Sequence, residues 1–403
     1  MDSSGLVLAT AGYTLVYFLT ASTIAFTCPS SSIRAAVVAA ILSLVLYVHN
    51  SVMQTTDKRN IGAGILMFVW LQVFNSLDLL LLSKVSYEKH IQWQEEQNTQ
   101  KAPDRSQEPF HKKSRLTWAM KLALNYRRIN TAHQITYIPR PSSLQSGPLP
   151  RTAFLIQRFL ASALALGALR FFFSTEQASS SEYRGQALVL DEYSLSVGPL
   201  LSRTHVVASH ILGTFLDHKA VYALLSCCGV GLGFDDPEDW PPNQGPVAGG
   251  WSVRRFWGQT WHQTFRVPLS RTADFIVDSV FRLKARTVRA RYARFFITFF
   301  LSGLLHVPYD RSSGVGSDKS NVLLFFMLQP VAFAIEEIAQ AVSERYNILN
   351  AEKDQALRRA IGYIWVVVWN FWGVSLAVAF GWAAKSDDDL GLSWLGVLHF
   401  TPK

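Results

Sequence analysis

The sequence predicts an all-α integral membrane protein, with about eight transmembrane helices and a cytoplasmic re-entrant or interfacial segment. Three observations predict it. Of 403 residues, 49% are hydrophobic and only 17% charged, an apolar balance for a chain of this length. The apolar residues gather in runs of roughly 17 to 24, enough to cross a bilayer as helix at about 1.5 Å per residue. Lys and Arg are concentrated in two of the connections, as they are where basic residues stay on the cytoplasmic side.

The runs lie at 6–26, 34–50, 61–83, 152–174, 205–234, 294–309, 321–342 and 361–384. The first has no basic segment ahead of it and further spans follow, so it reads as a membrane helix and not a signal peptide. The fifth carries Asp217, His218 and Lys219 and suits either one span or two shorter segments. The sixth is short unless its helix begins in the basic stretch before it. The chain thus divides into 1–84 with three spans, 85–151 as a basic cytoplasmic loop, and 152–403 with five spans.

Charge orients these spans. Residues 84–151 hold twelve Lys and Arg and residues 251–294 hold ten, so both loops are expected in the cytoplasm. The 175–200 connection has Glu176, Glu182, Asp191 and Glu192 against Arg184, and the tail has Asp387, Asp388 and Asp389 against Lys385 and Lys403; both are expected on the other side. Eight spans then leave both termini lumenal, with Lys58 and Arg59 the exception. The net charge of +9 follows from this topology, because the basic loops flank spans instead of forming a soluble basic domain, and nucleic acid is not an expected partner.

Cys28, Cys227 and Cys228 are too few and badly spaced for a disulfide framework or a zinc site. With no P-loop, nucleophile elbow or dinucleotide fingerprint, ATP-driven transport and hydride chemistry have no residues to rest on. The 85–150 loop is broken by Pro103, Pro109, Pro139, Pro141, Pro148 and Pro150. Its middle, Ser114 to Ile129, alternates apolar and basic residues near helical period, which predicts a helix on the cytoplasmic leaflet, as an anchor or a substrate gate.

The chemistry-bearing candidates are two histidines. In FWGQTWHQ, residues 256–263, a helix over 251–266 would align Arg254, Gly258, His262 and Arg266 on one stripe and Trp257, Trp261 and Phe265 on the next. Gly258 would then leave room beside His262, and Pro268 would end or turn the helix. The alternative is an interfacial helix with Trp at headgroup level and His262 incidental. His306 lies about twelve residues, or ~18 Å, into its apolar span, with Ser302 on the same stripe and Gly303 beside it. An intramembrane histidine is a functional-site candidate, and a buried neutral imidazole is what a general base requires. The alternative is a core histidine bonded to a neighbouring helix's carbonyl. Asp310 is separated from it by Pro308, expected to interrupt the helix.

Gln329 and Glu336, seven apart, share a face and would line the same chamber, unless Glu336 already lies among the headgroups. His205, His210, Asp217 and His218 form no compact tetrahedral set within one helix, so no metal is expected; solvated residues at a break in the span account for them. Trp365, Trp369 and Trp372 fit a hydrophobic substrate wall, but such a stripe is more often helix packing or a belt facing lipid.

A histidine on a cytoplasmic re-entrant segment followed some 44 positions later by one inside an apolar span resembles the membrane-bound O-acyltransferases, specifically the wax synthase-like branch. Phe256, Trp257, Trp261 and His262 are similar to that family's F-W-x-x-W-[H/N/D] segment, with one extra residue between the tryptophans. Ser302, Gly303 and His306 are similar to its S-G-x-x-H helix. DPEDWPP at 236–242 and LQPVAFAIEE at 328–337 resemble the flanks of that block in fungal members, so the resemblance marks 236–342 as the wax synthase-like catalytic region. Arg255 and Gln259 depart from it, since relatives commonly carry an acidic and a basic residue there.

The resemblance implies an O-acyltransferase-type bundle, with direct acyl transfer inside a tunnel. Acyl-CoA would enter from the cytoplasm, its phosphates near Arg254 or Arg266 and its acyl end near Trp257 and Trp261. His306 would take the proton of a lipophilic alcohol arriving from the bilayer. His262 would orient the thioester or stabilise the oxyanion, and Ser302, Gln329 and Glu336 would line the chamber. Fungal members imply acetyl-CoA as donor, a terpenoid or meroterpenoid alcohol, and the endoplasmic reticulum. The alternatives are a long-chain wax ester synthase and a non-enzymatic membrane carrier.

Overall fold

The computed structural model describes residues 4–54, 61–100, 114–139, 149–176, 197–312, 320–350 and 353–383. Helices dominate, and no strand occurs among the described residues. The acidic stretches at 177–196 and 384–403, Lys58, Arg59, and the loop residues 101–113 and 140–148 lie outside the described residues.

Five helices among the described residues are long and apolar enough to cross a membrane: Ser4–Phe26, Ser32–Met53, Gly62–Leu82, Arg151–Leu169 and Val322–Arg345. They fall on five of the eight expected spans. Helices also occupy the other three places, Val197–Gly231, Val288–Ser312 and Gln355–Ala383, but polar residues dilute them: Asp217 to Lys219 in the first, four arginines at 289–311 flanking the second, Arg358 and Arg359 in the third. The run at 205–234 is one unbroken helix of 35 residues, not two segments. The helix bearing His306 does begin in the basic stretch, at Val288.

The chain forms two compact units, residues 1–136 with 264–317, and residues 137–263 with 318–403. In the first, α1 (Ser4–Phe26) packs on α2 (Ser32–Met53), α3 (Ile61–Leu77) and α5 (Arg115–Leu124), while α10 (Val288–Ser312) packs on α3 and on α9 (Arg266–Phe275). Gly12 admits Val48 to α1, since a methyl group there would lie 3.1 Å from Cγ2 of that valine. Ser31 and Ser114 cap α2 and α5 by accepting from the Ile33 and Thr117 N–H groups.

The expected leaflet helix is α5. Its apolar face, Trp118, Ala119, Leu122 and Ala123, is buried in one cluster with Ala21, Ile24 and Ala25 of α1. That face is therefore spent on protein, because α5 is only ten residues and its carbonyl at Ala123 accepts from the buried Asn75 side chain at 2.8 Å. Beyond it, Arg128 donates to Asp78 at 2.6 Å, both side chains 1% exposed, which pins the following turn to the end of α3. Between α3 and α5 runs α4 (Tyr87–Gln100), whose His90 ring lies between Trp93 and Trp118, at 5.9 and 5.3 Å.

In the second unit α6 (Arg151–Glu176) and α7 (Val197–Gly231) pair along their length, and α12 (Gln355–Ala383) packs on α7 and α11 (Val322–Arg345). Against this frame lies the irregular stretch 235–263. The Trp240 carbonyl accepts from Arg158 at 2.8 Å and the Pro241 carbonyl from Tyr222 at 2.6 Å. Further along, the Ala248 carbonyl accepts from Tyr363 at 2.7 Å. Gly362 is required here: a methyl group on it would lie 2.1 Å from the Trp251 carbonyl oxygen.

Candidate active site

FWGQTWHQ does not continue as one helix, so the expected stripe of Arg254, Gly258, His262 and Arg266 is not formed. A short α8 (Val253–Arg255), capped by Ser252, passes into a single π turn at Phe256–Thr260 closed by the Trp261 N–H on the Phe256 carbonyl at 2.8 Å. Trp261 then turns extended, with ψ 162°. Gln263 ends the helix: its buried side-chain amide donates to the Trp257 and Trp261 carbonyls, at 3.1 and 2.7 Å, taking two acceptors a longer helix would have used.

A preceding strap holds this break in place. The Gln263 N–H donates to the Asn243 carbonyl and the Gly245 N–H to the Thr260 carbonyl, both at 3.1 Å. Only glycine fits at 245, since a methyl group would lie 2.2 Å from the Gln259 carbonyl oxygen. A methyl group at Gly258, by contrast, would meet nothing within 4 Å, in keeping with the expected room at that residue. Pro268 starts a helix and does not end one. It occupies the first turn of α9, where a helix has no use for its missing N–H.

Gln329 and Glu336 are committed to this segment, one α11 face serving as a two-point clamp. Gln329, fully buried, accepts the indole N–H groups of Trp257 at 2.9 Å and Trp369 at 3.1 Å and donates to the Phe325 carbonyl at 2.8 Å. Glu336 accepts the Val253 and Arg254 N–H groups and the Trp365 indole at 2.9 Å. A carboxylate on the first N–H groups of α8 satisfies donors that would otherwise be orphaned and complements the helix dipole. Trp365 and Trp369, read from the sequence as mere packing, are thus hydrogen-bonded to the clamp. The signal available was spacing: two indoles four apart opposite two polar side chains seven apart.

Trp257 packs on Phe325 and Phe326, with centroids 6.2 and 5.9 Å away. Trp261 lies 5.3 Å from Phe256 and 6.4 Å from Phe215. His262 stacks on His218 of α7, the rings 4.1 Å apart and 8° from parallel. His218 and the 3%-exposed Asp217 are therefore not solvated residues at a helix break. Arg254 is exposed, and so is Arg266, the first residue of α9 in the other unit. Arg255 is engaged locally, stacked 4.9 Å over Trp251 and donating to the Gly249 carbonyl at 2.9 Å.

His306 belongs to the first unit and is half-buried on α10, its ring 6.1 Å from that of Phe265. Its Nδ1 lies 2.7 Å from the Ser302 carbonyl oxygen, one turn back on the same helix. A carbonyl only accepts, so Nδ1 is the nitrogen that donates there. Ser302 thus meets the histidine through its backbone, and the carbonyl comes from His306's own helix instead of a neighbour. Pro308 does not interrupt α10, which runs to Ser312; it only deprives the Leu304 carbonyl of a helical donor. Among the described residues no group of three His, Cys, Asp or Glu could hold a metal ion.

Residues 240–328 match the model of the membrane bound O-acyl transferase family. The acetyltransferase ataH of Aspergillus terreus is 36% identical over 37% of this chain and 48% of its own length. The acetyltransferase spyB of Aspergillus fumigatus is 29% identical over 60% and 44%, and the O-mevalon transferase yanI of Aspergillus niger 29% over 64% and 60%. The chain spans about half the length of the first two curated relatives. No solved structure matches it. The matched segment includes both the clamped FWGQTWHQ turn and the His306 helix, and over it the chain is similar to the membrane-bound O-acyltransferases.

Proposed function

We propose that the chain transfers an acetyl group from acetyl-CoA to a hydroxyl of a lipophilic terpenoid or meroterpenoid in fungal secondary metabolism. It would do so as a multi-pass protein of the endoplasmic reticulum, with the basic 251–294 loop in the cytoplasm. The observation that carries this reading is the His306 ring, half-buried on α10 with its Nδ1 held at the Ser302 carbonyl at 2.7 Å, so that Nε2 is the nitrogen assigned to act as base.

The substrate hydroxyl gives its proton to Nε2 of His306 as its oxygen attacks the thioester carbonyl carbon. The new C–O bond forms, the tetrahedral oxyanion collapses, the C–S bond breaks, and the departing CoA thiolate takes the proton back from the imidazolium. His262 is assigned to orient the thioester or donate to the oxyanion. Arg254 and Arg266, both exposed, are assigned to the CoA phosphates by charge. Trp257 and Trp261 act at the acyl-CoA end through the walls they build. Gln329 and Glu336 act through the segment they hold. The names of ataH and spyB, both acetyltransferases, support an acetyl donor over the long-chain acyl-CoA of a wax ester synthase.

The test is expression in yeast microsomes, with CoA thiol release and ester formation followed for acetyl and longer acyl donors over a panel of terpenoid alcohols. Alcohol-dependent acetyl ester formation that drops by about 10²–10⁴-fold in His306→Ala, at unchanged protein level, is the expected result. Full activity in His306→Ala would remove the base. Absence of turnover with every donor would favour a carrier.

A further inference from the structure

At His262 the backbone has left the helix, so no helical turn restrains the ring. What meets the ring is another imidazole. His218 lies face to face with it at 4.1 Å and 8°, and Nδ1 of His218 donates to the Thr214 carbonyl at 2.8 Å, one turn back on α7. That bond fixes the ring plane of His218 on a continuous helix of 35 residues. The same turn is tied to the strap, since the Gln244 side chain donates to the Phe215 carbonyl at 2.9 Å. Trp261 closes the group, with its ring 5.7 Å from His262 and 6.3 Å from His218.

We propose that His218 is a positioning residue for His262, a flat ring anchored on α7 that sets the plane of the His262 imidazole and so the direction of its nitrogens. The inference rests on the acyl-transfer reading for its consequence in turnover, but not for its geometry. A hydrogen-bonding group acts in acyl transfer only when aimed at the reacting oxygen, and a ring on irregular backbone needs an external stop to stay aimed. A face supplied by a helix is a firmer stop than one supplied by a loop.

The test compares His218→Leu, which fills the space without a flat face, with His218→Phe, which restores the face without the imidazole. Two readouts are taken on the full-length protein: kcat and KM for ester formation, and carbethoxylation of His262 by diethyl pyrocarbonate followed by mass spectrometry. In His218→Leu, kcat is expected to fall about ten- to a hundredfold with KM little changed, and His262 to label several-fold faster. His218→Phe is expected to stay near wild type in both.

Wild-type behaviour of His218→Leu overturns the proposal, and so does a His218→Phe as impaired as His218→Leu. Faster labelling of His133, on the 125–136 turn of the other unit, together with His262 would mean that His218 merely supports the fold, and overturns it too. A wild-type protein that turns nothing over, but shows the labelling contrast, leaves the positioning role standing and removes the acyltransferase reading.

Discussion

Replacing Gln329 by leucine keeps the volume of the side chain while deleting the acceptor for two indole N–H groups and the donor to the Phe325 carbonyl. Trp369 is 9% exposed and Gln329 0%, so little water can take the amide's place. An orphaned buried donor costs about 1–3 kcal/mol, which puts the two indoles together at about 2–6 kcal/mol, a large part of a total stability of about 5–15 kcal/mol. Equilibrium unfolding of the purified protein in mixed SDS micelles, followed by tryptophan emission, measures it. In a Trp257→Phe/Trp369→Phe background the donors are already gone, and Gln329→Leu should cost less than about 1 kcal/mol. Equal costs in the two backgrounds would refute the clamp.

Two glycines predict opposite outcomes. Gly362→Ala drives a methyl group to 2.1 Å from the Trp251 carbonyl oxygen and should destabilise by about 1–3 kcal/mol, seen as a lower unfolding midpoint with reduced turnover. Gly258→Ala meets nothing within 4 Å, so stability should hold or rise by up to about 1 kcal/mol; a loss of activity in that stable variant would show that substrate uses the space. His90 supplies a pH dependence. Burial between Trp93 and Trp118 pushes its imidazole down from the usual 6.5 to about 4, so between those values the unfolded chain binds the extra proton. Stability from this group is fully present above about pH 6.5 and is lost as pH falls toward about 4. His90→Phe should flatten that limb in unfolding midpoints measured from pH 4 to 7.5, relative to wild type.

The helical architecture was legible because it rests on composition and period, which are local properties. Five helices are both long and apolar enough to span, and the start of the His306 helix in the basic stretch followed from the shortness of its apolar part. His306 itself stood out because an ionisable ring among phenylalanines is costly wherever the chain folds. What period cannot reveal is where a side chain overrides it. Gln263 ends the helix that the 251–266 pattern promised because its amide captures the Trp257 and Trp261 carbonyls, and Asn243 of the strap needed to hold it there is 20 residues upstream. Gln329 and Glu336 were visible as polar residues on one face, but their partners lie 72 and 83 positions earlier in the chain, so only tertiary structure turns them from chamber lining into a clamp. His218 carried no signal toward His262, 44 residues on, because ring stacking has no sequence period. Tertiary structure alone decided that these two histidines meet, through the packing of a broken turn against one continuous helix.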